Sequence, residues 1–135
     1  MDLQKCRVLV ADDNENFTKL IANFLTVLMD IGRENIFCVS NGEEAQRAIE
    51  QKHIDLVISD NQMPIMTGVK LLKWIRENED DRIKKTRFIL LTGDEENSIQ
   101  EAICQYNFNY DAYYCAKPVK LLKLKHLVSR ILENP

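Results

Sequence analysis

The stretch CRVLVADDNENFTKLIANFLTVL, residues Cys6 to Leu28, decides the fold. Its opening, Cys6 to Ala11, is a short apolar run of the kind a fully buried strand requires. The run stops at two aspartates, and a different period takes over. Phe17, Leu20, Ile21, Phe24, Leu25 and Leu28 recur at the three-and-four spacing of one helical face, with Asn14 as the N-cap and Gly32 as the stop. A strand feeding a helix is one βα unit, and the rest of the chain repeats it. Strand-like IFCVS (Ile36 to Ser40) precedes a helix from about Gly42 to Lys52, and DLVIS from Asp55 precedes one near Val69 to Asn78. RFILLT (Arg87 to Thr92) leads to a helix carrying Ile99, Ala102, Ile103 and Tyr106. DAYYCA (Asp111 to Ala116) leads to one carrying Leu121, Leu124, Val128 and Ile131. The polar RENEDDRIKK, Arg76 to Lys85, reads as a helix end followed by a solvated loop.

Five βα units predict an α/β fold with a doubly wound parallel sheet, because a parallel crossover needs a helix to carry the chain back. The 135 residues, 45% hydrophobic and 29% charged, suit one globular domain spanning residues 1–135. A net charge of -3 argues against direct nucleic-acid binding and against an anionic membrane surface. No secretory signal and no run of about 18 apolar residues is present, so a cytoplasmic location is expected. The four cysteines, Cys6, Cys38, Cys104 and Cys115, lack metal-site or disulfide spacing and read as small buried hydrophobes in a reducing compartment.

In doubly wound sheets, ligands bind beyond the carboxyl ends of the strands. At those ends stand Asp12 and Asp13 after the first strand, Asp60 after the third, Thr92 after the fourth, and Lys117 with Pro118 after the fifth. Gathering three carboxylates is unfavourable unless a cation offsets their charge. All-oxygen ligation suits Mg²⁺, which keeps much of its water and typically works beside phosphate. Lys117 and Thr92 then form a clamp for phosphoryl oxygens, and Asp60 is a candidate nucleophile that would carry an acyl phosphate.

The acidic pair Asp12-Asp13, the motif D-x-x-M-P-x-M-x-G from Asp60 to Gly68, Thr92 and the Lys117-Pro118 pair together resemble the receiver domain of two-component response regulators, over nearly the whole chain. The resemblance implies a flavodoxin-like five-stranded sheet of order 2-1-3-4-5 with five flanking helices. It implies that Asp60 accepts a phosphoryl group from a phosphohistidine on a sensor histidine kinase or phosphotransfer protein. Mg²⁺ would be held by Asp13, Asp60 and the Gln62 main-chain carbonyl, with Asp12 assisting. Thr92 and Lys117 would hold the phosphoryl oxygens, and Tyr114 would be the aromatic switch that swings inward as Thr92 moves. The signal would emerge on the surface of the fourth helix, fifth strand and fifth helix, toward an unknown output partner, a missing effector domain or a second copy in a phosphorylation-dependent homodimer. The resemblance also implies a cis Lys117-Pro118 bond, and a signalling domain that catalyses only its own phosphotransfer and dephosphorylation.

Other readings of these residues exist. Asp12 to Asn14 also suit a turn and N-cap, and an EF-hand loop is disfavoured by Phe17 where glycine is needed. An aspartyl-phosphate hydrolase usually needs an aspartate two residues after its nucleophile, and Gln62 stands there. A receiver-like interaction module that never takes phosphate is the remaining alternative. Met63-Pro64 and Gly68 read as backbone devices that position Asp60. The tyrosines at 106, 110, 113 and 114 read as one aromatic cluster, and His53 and His126 lie away from the site. Lys120, Lys123 and Lys125 suit a solvated helix face. The chain departs from the family pattern at Thr67, usually acidic, and in NFNYD, Asn107 to Asp111, where Asn107 or Asn109 would supply a left-handed turn. Gln62 and Asp94 occupy positions expected to tune the lifetime of the phosphoryl group.

Overall fold

The computed structural model describes residues 2–93, 97–107 and 110–133, except the side chains of residues 97 and 98. Five parallel strands, β1 (Val8–Ala11), β2 (Ile36–Val39), β3 (Leu56–Asp60), β4 (Arg87–Thr92) and β5 (Ala112–Ala116), form one sheet in the order β2-β1-β3-β4-β5. The strands run in register, so Val8 lies beside Leu56 and Leu56 beside Arg87, and their carboxyl ends finish along one edge. This is the doubly wound, flavodoxin-like arrangement. Among the described residues six α-helices flank it, one more than the five expected: α1 (Glu15–Met29), α2 (Gly42–Gln51), α3 (Gly68–Arg76), α4 (Asp81–Lys84), α5 (Asn97–Tyr106) and α6 (Leu121–Glu133).

Side-chain alternation along the strands builds two cores. Val8, Val10, Leu56, Ile58, Ile89, Leu91 and Cys115 meet α1 and α6 on one face. Leu9, Val57, Phe88, Leu90 and Ala112 meet α2, α3 and α5 on the other. Because both faces are covered, the strands read as continuous apolar runs. Asn14 caps α1 as expected, its side chain accepting from the Phe17 amide, but the helix ends before Gly32. Asp30 terminates it in the left-handed conformation, φ 59°, a role its short polar side chain tolerates. The predicted apolar face of α1 is also narrower than its period suggests. Ile21, Phe24 and Leu25 are buried, whereas Leu20 and Leu28 are 51% and 54% exposed. Thr18, Ala22 and Met29 take buried positions instead. Of the cysteines, Cys6 and Cys115 are buried, while Cys38 and Cys104 are exposed.

The charged stretch after α3 is more ordered than a solvated loop. Asp80 caps the short helix α4, Ile83 is buried, and Arg82 donates to the carbonyls of Ile49, Glu50 and Lys52 at the end of α2. Those carbonyls have no intrahelical partners, which is why a guanidinium fits them. Arg76 is wholly buried and donates to the main-chain oxygens of Lys84, Thr86 and Asp111, with its guanidinium 5.7 Å from the Tyr110 ring. Burial lowers its pKa to about 10, against the raising influence of Tyr110 and Asp111, so it stays charged at neutral pH.

Asn107 does not adopt the expected left-handed turn. Its side chain accepts from the Ala112 amide at 2.9 Å and its carbonyl from the Tyr110 amide at 2.8 Å. Asn109 lies outside the described residues. The tyrosines do not form one cluster either, because Tyr113 packs on the α1/α6 face and Tyr106 on the opposite one. Lys120, Lys123 and Lys125 are exposed, as a solvated helix face requires.

The loop between β3 and α3 turns at Ile65, where φ is 73° and the Met66 amide donates to the Pro64 carbonyl at 2.8 Å. A γ-turn of this hand is rare, and a β-branched residue is poorly suited to it. Ile65 is 70% exposed, so no burial offsets the strain. Ile65→Asn is expected to stabilise the protein by about 1 kcal/mol, raising its thermal midpoint by about 4 °C in calorimetry. Arg76→Met, which leaves three carbonyls without their donor, is expected to cost about 2–4 kcal/mol by denaturant unfolding.

Candidate functional site

Each strand end delivers one part of the site. Beyond β1, the Asp12 amide donates to the Val39 carbonyl, which extends the pairing with β2. One Asp12 carboxylate oxygen accepts from the Asn14 amide at 2.9 Å, and Asn14 caps α1, so the acidic pair is tied to the first helical turn. Asp60 is the last residue of β3. Its neighbour Asn61 accepts from the Gly68 amide through its carbonyl and from the Val69 amide through its side chain. Gly68 is required here, since a Cβ would lie 2.5 Å from the Asp60 carbonyl oxygen and 2.5 Å from Leu90. Thr67 caps α3 by accepting from the Lys70 amide, a role that explains a hydroxyl at this position.

Thr92 closes β4 and is buried, and its carbonyl accepts from the Lys117 amide at 2.8 Å. Lys117 follows β5, and the Lys117-Pro118 bond is cis, as the resemblance implied. The Lys117 ammonium lies 3.0 Å from Asp60 Oδ1 and 3.5 Å from Asp12 Oδ2. Residues from β1, β3 and β5 thus meet at one point. Carboxylate oxygens of Asp12, Asp13 and Asp60 lie within 4.8 Å of one another; Asp12 and Asp60 are buried and Asp13 is exposed.

The electrostatics follow from burial. Loss of solvation pushes the Asp12 carboxyl above its ordinary pKa, and the Asp60 charge adds to this, against the Asn14 amide and the Lys117 ammonium. Desolvation alone would lower the pKa of Lys117, but the hydrogen bond and charge of Asp60, with those of Asp12, raise it instead. One ammonium therefore faces three carboxylates, two of them buried. A hard dication with all-oxygen ligation fits this donor set.

Two clefts open on either side of the Asp60-Lys117 pair. One, of about 470 Å³, is lined by Asp12, Asp13 and Phe17, with Pro118 and Val119 at its edge. The other, of about 260 Å³, is lined by Gln62, Thr92 and Gly93. Among the described residues, every expected site residue except Tyr114 therefore borders one connected region. Tyr114 sits on β5, 36% exposed, and its hydroxyl accepts from the Gln100 side chain of α5 at 3.1 Å. Asp94 lies outside the described residues. His53 pairs with Asp55 at the opposite end of β3, away from the site. Sequence reasoning passed over Asn61 and Phe17, whose importance comes from where the folded loops place them.

Comparison with known proteins agrees with this geometry. The chain belongs to the response regulator receiver domain family, whose model matches residues 8–129. It is 30% identical over 128 residues to a probable chemotaxis protein CheY of Rhizobium etli, covering 95% of this chain and 93% of that protein. It is also 30% identical to part of hybrid signal transduction histidine kinase K of Dictyostelium discoideum, where 97% of this chain matches 11% of the relative. The chemotaxis response regulator CheY4 of Vibrio cholerae superposes with a TM-score of 0.78 at 21% identity, covering 93% of this chain and 98% of that one, a likeness of fold. The vocabulary of two-component signalling therefore applies to this chain.

Millimolar Mg²⁺ is expected to raise the thermal midpoint of the wild-type protein, through binding to the folded state alone. Asp13→Asn should abolish that gain. In EDTA the same variant should melt above wild type, because one of three mutually repelling charges is gone.

Proposed function

We propose that this protein is a phosphorylation-driven signalling switch that takes a phosphoryl group on Asp60 from a sensor histidine kinase or phosphotransfer protein. The observation that carries the reading is the meeting of the Lys117 ammonium, 3.0 Å from Asp60 and 3.5 Å from Asp12, with the cluster of Asp12, Asp13 and Asp60 at the carboxyl end of the sheet. The Asp60 carboxylate attacks phosphorus, the bond to the donor imidazole nitrogen breaks, and an acyl phosphate remains on the side chain. Asp13, Asp60 and the Gln62 carbonyl, with Asp12 assisting, would hold Mg²⁺, which would supply charge neutralisation for the phosphoryl oxygens. Lys117 shifts its ammonium from carboxylate to phosphoryl oxygen, and the Thr92 hydroxyl donates to another. Attack of water on phosphorus later releases phosphate and restores the carboxylate, so the chemistry is confined to the protein's own phosphorylation and reset. Gln62 and Asp94 would tune that reset.

Output follows from the change in charge. Phosphorylation replaces the single charge of the Asp60 carboxylate with nearly two on the phosphoryl group, a net gain of about one negative charge, enough to bias an element whose two forms differ by a few kcal/mol. Thr92 moves toward the phosphoryl group, and Tyr114 leaves its hydrogen bond with Gln100 and turns inward. The surface of α5, β5 and α6 would then favour a different partner or a second copy. Residues 1–135 act in this reading as one receiver domain in the cytoplasm; no helix among the described residues is long and apolar enough to cross a membrane. The hydrolase alternative is disfavoured by Gln62, which cannot act as a carboxylic acid/base.

Incubation with acetyl phosphate and Mg²⁺ is expected to add about 80 Da to the intact mass, one phosphoryl group. The gain should vanish in Asp60→Asn and in EDTA. Wild-type protein that neither gains mass nor binds beryllofluoride with Mg²⁺ would favour the interaction-module reading.

A further inference from the structure

Lys117 has a third neighbour besides its two carboxylates. Its ammonium lies 5.1 Å from the centroid of the Phe17 ring. That distance places the cation on an aromatic ring, where the negative ring face attracts it. Phe17 is well held. Its amide donates to both the side chain and the main-chain carbonyl of Asn14, and its ring packs, partly buried, against the core on the α1/α6 side. Helical side chains lean toward the N-terminus of their helix, which brings this ring back over the acidic loop. The ring, Pro118 and Val119 supply the apolar part of the lining of the larger cleft, which they share with Asp12, Asp13 and Asp60.

We propose that Phe17 is a positioning residue for phosphotransfer, its ring holding the Lys117 ammonium over Asp60 while the ammonium exchanges a carboxylate partner for a phosphoryl oxygen. The inference rests on the phosphoacceptor reading of Asp60. A lysine has four rotatable side-chain bonds and its charge is strongly hydrated, so two anions alone leave it several orientations. An apolar wall excludes water on one side, and the ring attracts the ammonium without accepting a hydrogen bond. The three donors of the ammonium remain directed at oxygens. Asn14 thereby gains a second role: by capping α1 it sets the ring relative to the metal-binding loop.

The test compares Phe17→Leu, which keeps apolar volume without a ring, with Phe17→Tyr, which keeps the ring. The rate of phosphorylation by acetyl phosphate is measured at fixed Mg²⁺, and the Lys117 ε-methylene proton shifts are measured by NMR. Phe17→Leu is expected to slow phosphorylation about three- to tenfold, in line with the loss of a partly desolvated cation–π contact. Phe17→Tyr should restore most of the rate. The Lys117 ε-methylene protons should show an upfield ring-current shift in wild type and Phe17→Tyr that disappears in Phe17→Leu. In the Lys117→Met background, Phe17→Leu should cause no further slowing. Equal rates for wild type and Phe17→Leu, equal slowing by both substitutions, or the same slowing without Lys117 would each overturn the assignment. Wild-type protein that neither takes a phosphoryl group nor binds beryllofluoride with Mg²⁺ would sink the phosphoacceptor reading and the Phe17 role with it, whereas wild-type protein that is phosphorylated no faster than Phe17→Leu would sink the Phe17 role alone.

Discussion

One ammonium holds together the ends of three strands. Lys117 bridges Asp60 of β3 and Asp12 beyond β1 from a position just after β5, joining residues 105 apart in sequence. Two buried carboxylates at a sheet edge would otherwise disfavour folding, because each has lost water and repels the other. The cation makes their approach tolerable without neutralising the cluster. The remaining excess of negative charge suits the site to a dication, and in the proposed switch the mobility of a lysine would let the same group serve a phosphoryl oxygen later.

The surrounding structure serves that meeting point. Gly68 permits the α3 N-terminus to close against the Asp60 carbonyl, and Asn61 fastens the loop that follows. Asn14 fastens the acidic pair to α1, and the Lys117 amide joins β5 to the Thr92 carbonyl of β4. At the opposite end of the sheet, Arg76 and Arg82 draw α2, α3, α4 and the start of β5 together through main-chain carbonyls. The site is therefore held at both ends, while Tyr114 reaches α5 through the Gln100 side chain.

Much of this was legible in the sequence for a simple reason. A polar residue that interrupts a buried strand has few structural excuses, so Asp60, Thr92 and Lys117 stood out against their apolar runs, and β4 spans the residues its run predicted, Arg87–Thr92. What escaped notice depends on geometry that period alone does not carry. Six apolar positions on α1 exceed the width of the buried face, which left Leu20 and Leu28 in solvent. Ile83 is a single apolar residue among charges, so α4 had no periodicity to reveal it. Asp30, rather than the nearby glycine, took the left-handed cap, which lets the Ile31 amide donate to the Leu25 carbonyl and returns Ile31 to the core. Phe17 looked like one more core residue until the fold brought the end of β5 beside it.

The in-register sheet has a further consequence for how this chain can change in length. Successive strand residues face opposite sides, so inserting or deleting one residue between Leu56 and Asp60 would turn the carboxylate toward the wrong layer and move the core residues beside it into the opposite core, where they do not fit. The same holds between Arg87 and Thr92. The site can therefore be reached only through strands of fixed parity. Variation in chain length must be absorbed at the other edge, in the segments entering the strands, leaving the chemistry at the fixed end of a structure that is free to grow from the opposite one.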